Sequence, residues 1–257
     1  MAQEPFQQHE WQCRALGRQK PYSLHLPGGH PPPGGWPLLV LLHGAGRNHR
    51  AVAESPDVAS LIEPCPFAVV CPDGELGFYI DGPMATGAQF QSMVWELLTR
   101  VRAEQPVSTD PRRTGICGWS MGGYGAVRFA EDFPHEVGAV AAIIGLLDYP
   151  NPALPPGQTY PTAPVFGNDP AFWHTVNCMT HAHRLRGLDI DIVAARGAFD
   201  YTMNVNFHHR LQELGMPHGY TELDGAHDWR TVARAFPLML DFMTAKLTPP
   251  SDSRQAL

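Results

Sequence analysis

The segment Gly-Trp-Ser-Met-Gly at residues 118–122 constrains the fold of this chain more than any other stretch. The sequence predicts the end of a strand at residues 114–117 before it, and a helix at residues 122–132 after it that Pro134 ends. A serine in this strand-turn-helix context is typical of a nucleophile elbow, a turn so sharp that the neighbouring residues must be glycines. The motif therefore predicts an α/β fold that carries a reactive serine, Ser120.

Apolar segments and helix-like segments alternate along the remaining chain. This alternation predicts a mostly parallel central sheet with helices on both faces, and 257 residues of which 44 % are hydrophobic can bury the core of a single domain spanning 1–257. Strands are expected at 19–26, 38–42, 67–71, 114–117, 137–147, 188–195 and 218–223. Helices are expected at 48–62 with an interruption at Pro56, and at 87–105, 122–132, 204–214 and 230–246.

Two segments do not fit the alternation. Residues 148–186 begin with a proline-rich stretch that cannot form regular structure throughout, and we interpret them as a lid or side wall at the carboxyl edge of the sheet. The polar residues 248–257 are expected to form a disordered tail.

Charge and composition exclude several classes of partner. The formal net charge is -7, from 25 acidic and 18 basic residues, which argues against nucleic acid and anionic membrane surfaces. The longest apolar stretch, 137–147, is too short to span a bilayer, so no membrane insertion is expected. No basic segment followed by an apolar run begins the chain, and the five cysteines form no Cys-x-x-Cys pair. These features favour free thiols and a cytoplasmic location. The oligomeric state is left open.

A serine hydroxyl is a weak nucleophile at neutral pH, so it requires a base and a group that orients the base. Asp200 follows a predicted strand, and His227 lies in a glycine-containing loop after the last one. The order Ser120, Asp200, His227 is that of α/β-hydrolases, and parallel strands deliver their carboxyl ends to one edge where the three can converge. Asp224 and Asp228 are alternatives for the acid, although both lie very close to the histidine in sequence.

Acyl transfer also requires two backbone N–H groups that stabilise the oxyanion. Met121 directly follows the serine and is expected to supply one of them. The other is expected from the loop after strand 38–42, with Ala45 as the first choice and Gly44 as the alternate. His43 in the same loop is interpreted as structural.

Other side chains suggest the wall of the site. Trp119, Phe78 and Trp229, with Trp173, are candidates for an aromatic lining that binds substrate. Paired histidines at 181/183 and 208/209 have no third ligand at a recognisable spacing, so neither a metal nor another cofactor is expected.

Four segments together resemble the esterase family of the α/β-hydrolase superfamily, which includes esterase D, tributyrin and feruloyl esterases and the mycolyltransferases. The matching segments are LLHGAG at 41–46, PDGELGFYID at 72–81, GWSMGGYGAVRFA at 118–130, and Asp200 paired with GAHDW at 225–229. The resemblance implies an α/β-hydrolase fold, a triad of Ser120, Asp200 and His227, oxyanion donors at Ala45 and Met121, and an active-site wall near residues 78–81.

The sequence departs from two members of that family. Esterase D usually has His at the position of Trp119, which argues against its substrate, S-formylglutathione. Mycolyltransferases are exported, and this chain shows no export signal. The leading hypothesis is a serine carboxylic ester hydrolase that forms an acyl-enzyme with small-molecule esters of short-chain or aromatic acids. The alternatives are an acyltransferase with the same triad and a non-catalytic binding protein of the same fold.

Overall fold

The protein is described by a computed structural model that covers residues 5–151, 153 and 163–248. Within them, eight strands form one sheet in the order β1-β2-β4-β3-β5-β6-β7-β8. β2 pairs antiparallel with β1 and β4, and all other neighbours are parallel, which confirms the prediction of a mostly parallel sheet. The strands are β1 (Gln7–Cys13), β2 (Arg18–His25), β3 (Leu38–Leu42), β4 (Ala68–Pro72), β5 (Thr114–Trp119), β6 (Ala139–Ile143), β7 (Asp189–Ala195) and β8 (Gly219–Leu223).

Helices cover both faces of the sheet, as predicted. They are α1 (Pro56–Ile62), α2 (Phe90–Glu104), α3 (Met121–Asp132), α4 (Pro170–Val176), α5 (Cys178–His181), α6 (Tyr201–Glu213) and α7 (Trp229–Leu247). The core is divided into two parts, one on each face of the sheet. The side chains of β3 contribute to both parts, because alternate residues of a strand point to opposite faces. Leu39 and Leu41 pack in the core with α1 and α7, whereas Leu38, Val40 and Leu42 pack in the core with α2, α3 and α6.

The sequence did not predict β1, and it placed some helix starts too early. β1 is an edge strand in which only Trp11 and Cys13 are buried, so its polar sequence carries little of the apolar signal that identifies a strand. α1 begins at Pro56 instead of residue 48, since proline has no N–H to donate and its fixed φ suits the first turn of a helix. α2 begins at Phe90, after Gly87 in a left-handed conformation.

The segment interpreted as a lid packs on the face of α3 and α6. The hydroxyl of Tyr124 in α3 donates to the carbonyl oxygen of Val176 in α4 at 2.7 Å, and α5 contacts both α3 and α6. Residues 152 and 154–162 of this segment lie outside the described residues, as do 249–257 of the expected tail. The role of a lid therefore stays a prediction.

All five cysteines are buried and unpaired. Burial raises the pKa of the Cys65 thiol to about 11 and that of the Cys71 thiol to about 12, so both are neutral at physiological pH. In the part of the chain that the structure describes, no helix combines the length and the apolar character needed to cross a bilayer.

Candidate active site

Ser120 occupies the tight turn between β5 and α3 in a strained conformation, with φ of 55° and ψ of -120°. The turn fits only because the residues two positions before and two positions after the serine have no side chain. A Cβ on Gly118 would lie 2.5 Å from the carbonyl carbon of Gly122, and a Cβ on Gly122 would lie 2.0 Å from the carbonyl oxygen of Leu42. The serine N–H donates to the carbonyl oxygen of Ile143 at 3.0 Å, which joins the turn to β6. The segment has the geometry of a nucleophile elbow.

The three residues predicted to form a triad are joined by hydrogen bonds. Ser120 Oγ lies 2.7 Å from His227 Nε2, and His227 Nδ1 lies 2.6 Å from Asp200 Oδ1. Because an ionised carboxylate can only accept, His227 Nδ1–H donates to Asp200, which leaves Nε2 free to accept the serine proton. The serine follows β5, the aspartate follows β7 and the histidine follows β8, so three strands bring their carboxyl ends together here.

Asp200 is fully buried, and its second oxygen is also engaged. Burial raises the pKa of Asp200 above its ordinary value, while the hydrogen bonds from His227 and Asn204 act in the opposite direction. Asn204 Nδ2 donates to Asp200 Oδ2 at 2.8 Å and to the carbonyl oxygen of Gly145 at 2.8 Å. Asn204 therefore links the aspartate to the loop after β6.

Sequence reasoning did not identify Asn204. It predicted that the helix begins at residue 204, whereas α6 begins at Tyr201 directly after Asp200. With that start, residue 204 lies one turn beyond residue 200 and faces it. An asparagine four residues after Asp200 was the signal available in the sequence.

The two alternative acids are engaged elsewhere. Asp224 forms an ion pair with Arg196 at 2.8 Å and its side chain is mostly exposed. Asp228 caps α7 by accepting from the N–H of Thr231 at 2.8 Å, and this contact lowers the pKa of Asp228. Of the three acidic candidates, Asp200 is the one that accepts a hydrogen bond from His227 Nδ1.

A cavity of about 130 Å³ opens beside Ser120. The loop after β3 forms one wall and lies against the serine, since a Cβ on Gly44 would stand 3.3 Å from Ser120 Cβ. Ala45 lines the same cavity, and Met121 begins α3 immediately after the serine. Both predicted oxyanion donors are thus next to the serine, and the N–H of Met121 belongs to a first helical turn, which has no partner within its helix. The remaining lining residues are Arg47, Trp119, Ile144, His227, Asp228, Trp229 and Val232.

The predicted aromatic residues divide between the cavity and the core. Trp119 and Trp229 line the cavity and contact each other edge to face, with ring centroids 5.5 Å apart. Phe78 is buried in the core on the α3 face, where its ring contacts those of Tyr124 and Phe166. Trp173 lines a separate cavity of about 750 Å³. None of the described residues in 148–186 lines the cavity beside the serine.

The histidine pairs considered for metal binding have other contacts. His208 Nδ1 is hydrogen-bonded to His218 Nε2 at 2.7 Å, and its ring stacks on that of Tyr220. Across residues 5–151, 153 and 163–248, the structure contains no group of three His, Cys, Asp or Glu side chains that could hold a metal ion.

Comparison with known proteins assigns the chain to a family. The family model described as "Putative esterase" matches residues 13–243. The chain belongs to this esterase family. An acetyl esterase of Caldicellulosiruptor saccharolyticus is 27 % identical in an alignment 218 residues long, and the match covers 78 % of this chain and 82 % of the relative. Membership confirms the resemblance and establishes the protein as an esterase that hydrolyses carboxylic esters.

Solved structures of other proteins have the same fold. A ferulic acid esterase superposes with a TM-score of 0.78 at 21 % identity, covering 93 % of this chain and 97 % of the other. MPT51 of Mycobacterium tuberculosis superposes with a TM-score of 0.80 at 17 % identity, covering 95 % and 99 %. At these identities the likeness shows the fold alone, and it confirms the prediction of an α/β-hydrolase fold.

Proposed function

We propose that this esterase works through an acyl-enzyme on Ser120, with His227 as general base and acid and Asp200 as the group that orients the imidazole. The observation that carries the proposal is the unbroken chain of two hydrogen bonds, 2.7 Å and 2.6 Å long, from the serine hydroxyl to the buried carboxylate. Such a chain activates a hydroxyl that is otherwise a poor nucleophile at neutral pH.

The first half of the reaction forms the acyl-enzyme. Ser120 Oγ attacks the ester carbonyl carbon while its proton moves to His227 Nε2, and the imidazolium is stabilised by Asp200. The carbonyl oxygen becomes an oxyanion that accepts from the backbone N–H groups of Ala45 and Met121. The tetrahedral intermediate then collapses, and the leaving alcohol takes the proton from His227 Nε2. Water repeats the sequence on the acyl-enzyme and releases the acid.

The size of the cavity supports short acyl groups as substrates. About 130 Å³ is well below the roughly 300–1,000 Å³ of pockets that hold drug-sized ligands. Trp119, Trp229, Ile144 and Val232 give the cavity an apolar side. The acetyl esterase among the relatives agrees with this choice. We therefore expect acetyl esters to be better substrates than esters of long or aromatic acids.

The test combines covalent labelling with a substrate series. A fluorophosphonate is expected to label Ser120 in the native protein and to leave the heat-denatured protein unlabelled. S120A should lower kcat by several orders of magnitude, because triad residues act as a unit, whereas S60A, at an exposed serine in α1, should behave as the wild type. Acetyl, butanoyl, hexanoyl and feruloyl esters of one alcohol should show falling kcat/KM in that order. Activity in S120A, or labelling at another residue, contradicts the mechanism.

A further inference from the structure

His43 is a buried histidine outside the proposed triad, and both of its ring nitrogens are hydrogen-bonded. The backbone N–H of Gly74, in the loop after β4, donates to His43 Nε2 at 2.9 Å. Because an N–H can only donate, Nε2 carries no proton. Nδ1 therefore carries the proton and donates to the carbonyl oxygen of Gly44 at 2.9 Å. The contacts fix both the neutral state and the tautomer of the imidazole.

The carbonyl that receives this hydrogen bond belongs to the same peptide unit as the N–H of Ala45. In a trans peptide the C=O and N–H bonds point in opposite directions, so fixing the oxygen of Gly44 also fixes the direction of the Ala45 N–H. That oxygen accepts a second hydrogen bond, from the N–H of Arg47 at 3.2 Å. Both of its lone pairs are thereby occupied on the side away from the Ala45 N–H.

The preceding peptide unit is held in the same manner. The hydroxyl of Tyr79, which is fully buried, donates to the carbonyl oxygen of His43 at 3.2 Å. Two consecutive peptide units of the loop after β3 are therefore fixed by side chains, directly beside the wall that Gly44 forms against Ser120. A loop held in this way needs no reorganisation when charge develops on the substrate.

We propose that His43 is a positioning residue that orients the Ala45 N–H toward the oxyanion. This inference rests on the function proposed above, since it requires acyl transfer at Ser120. His43 touches no reacting atom and acts through the peptide unit of Gly44 and Ala45. Its imidazole works as a neutral donor at Nδ1, so the role differs from that of His227.

Two amide substitutions test the hydrogen bonds of the two ring nitrogens of His43 separately. The amide nitrogen of Asn can occupy the place of Nδ1 and keep the donor to Gly44, whereas the amide of Gln reaches the place of Nε2 and keeps only the contact with Gly74. We expect H43Q to lower kcat by between about 10-fold and 100-fold, at or below the effect of removing one oxyanion donor. H43N should keep more than about a tenth of the wild-type kcat, with KM close to the wild-type value in both variants.

The experiment measures kcat and KM for an acetyl ester, the affinity for an alkylboronic acid and the melting temperature. The boronic acid adds to Ser120 Oγ and places an oxygen where the oxyanion forms. The inference predicts that H43Q loses boronate affinity by about the same factor as kcat at unchanged KM, and that H43N recovers both. If H43Q does not fold, the test rests on H43N. A folded H43N variant that loses more than about 10-fold in kcat overturns the inference.

Other outcomes separate the two proposals. H43Q with wild-type kcat overturns the inference and leaves the proposed function intact. Equal losses in H43Q and H43N, with boronate affinity unchanged, also overturn it, because they indicate a general packing role. An active S120A variant overturns the proposed function and the inference together.

Discussion

Replacement of Asn204 by Ala tests how much the proposed triad depends on a side chain outside it. The carboxamide is fully buried and its Nδ2 lies within 3.0 Å of three acceptors, namely Asp200 Oδ2, the Asp200 carbonyl oxygen and the Gly145 carbonyl oxygen. N204A leaves at least two of these acceptors without a donor. Each stranded buried group costs about 1–3 kcal/mol, so we expect the free energy of unfolding to fall by roughly 3 kcal/mol or more. For a domain of this size that loss lowers Tm by about 6–12 °C.

The same substitution should lower activity in the protein that remains folded. Burial raises the pKa of Asp200, and the hydrogen bond from Asn204 opposes that rise. N204A should therefore raise the pKa of Asp200 further and weaken the electrostatic stabilisation of a protonated His227. It also frees the carboxylate to rotate away from the imidazole. Misplacement of a catalytic group by about 1 Å costs on the order of 100-fold in rate, and we expect kcat to fall by about 10- to 100-fold.

The same helix provides a matched control. Asn206 Nδ2 donates to Asp148 Oδ2 at 2.8 Å, and Asp148 also accepts from the side chains of Asn151 and Asn177. N206A should therefore cost about 1 kcal/mol and leave kcat unchanged. Thermal unfolding and ester hydrolysis at pH 7 on both variants decide the question. The reasoning is refuted if N204A melts within about 2 °C of the wild type or keeps the kcat of N206A.

Three further predictions concern charge, cavity shape and the elbow. Burial alone raises the pKa of Asp73, but the contact with His49, the hydrogen bond from the N–H of Glu75 and the charge of Lys20 outweigh it and hold the pKa below its usual value. The stabilisation that Asp73 provides is thus present above the unfolded-state pKa of about 3.9 and lost as pH falls below it. D73N should be less stable at pH 7 yet lose less Tm between about pH 5 and 3. W229A, which opens the cavity wall, should raise the kcat/KM ratio of hexanoyl to acetyl esters, whereas W95A, at an exposed tryptophan in α2, should leave the ratio unchanged. G122A, whose Cβ would lie 2.0 Å from a carbonyl oxygen, should fail to accumulate as folded protein, while G28A, which meets no atom within 4 Å, should keep the wild-type Tm.

The fold was predictable because the signals of its central elements are local. β3 through β7 each carry an apolar run, and helices with one apolar side separate most of them, so alternation alone indicated a parallel sheet. β1 was not predicted because an edge strand buries few side chains and its sequence is therefore mostly polar. Helix starts shifted by a few residues where proline and glycine set the first turn.

The positions of Ser120, Asp200 and His227 could also be anticipated, since each follows a strand at the carboxyl edge. Their supporting contacts could not, because these contacts join segments that are far apart in sequence. Asn204 was missed through an error of three residues in one helix start. The side chain of Phe78 was assigned to the substrate wall on its aromatic character and on the family resemblance of residues 78–81. Which face of the sheet a side chain occupies depends on backbone turns such as that at residues 78–79, where φ is 51° and 53°. Whether Phe78 affects substrate binding stays untested.

The loops at this edge of the sheet are connected to one another as well as to their own strands. The loop after β3 is tied to the loop after β4 through His43 and Gly74, and the loop after β6 is tied to α6 through Gly145 and Asn204. The N–H of Gly197 after β7 donates at 2.9 Å to a carbonyl oxygen in the loop after β8. Electrostatic stabilisation of an oxyanion depends on donors that are already in place before the reaction begins. The sequence motifs indicate the residues proposed to react, whereas these cross-links hold those residues in place. A single substitution at any cross-link should therefore change kcat more than KM.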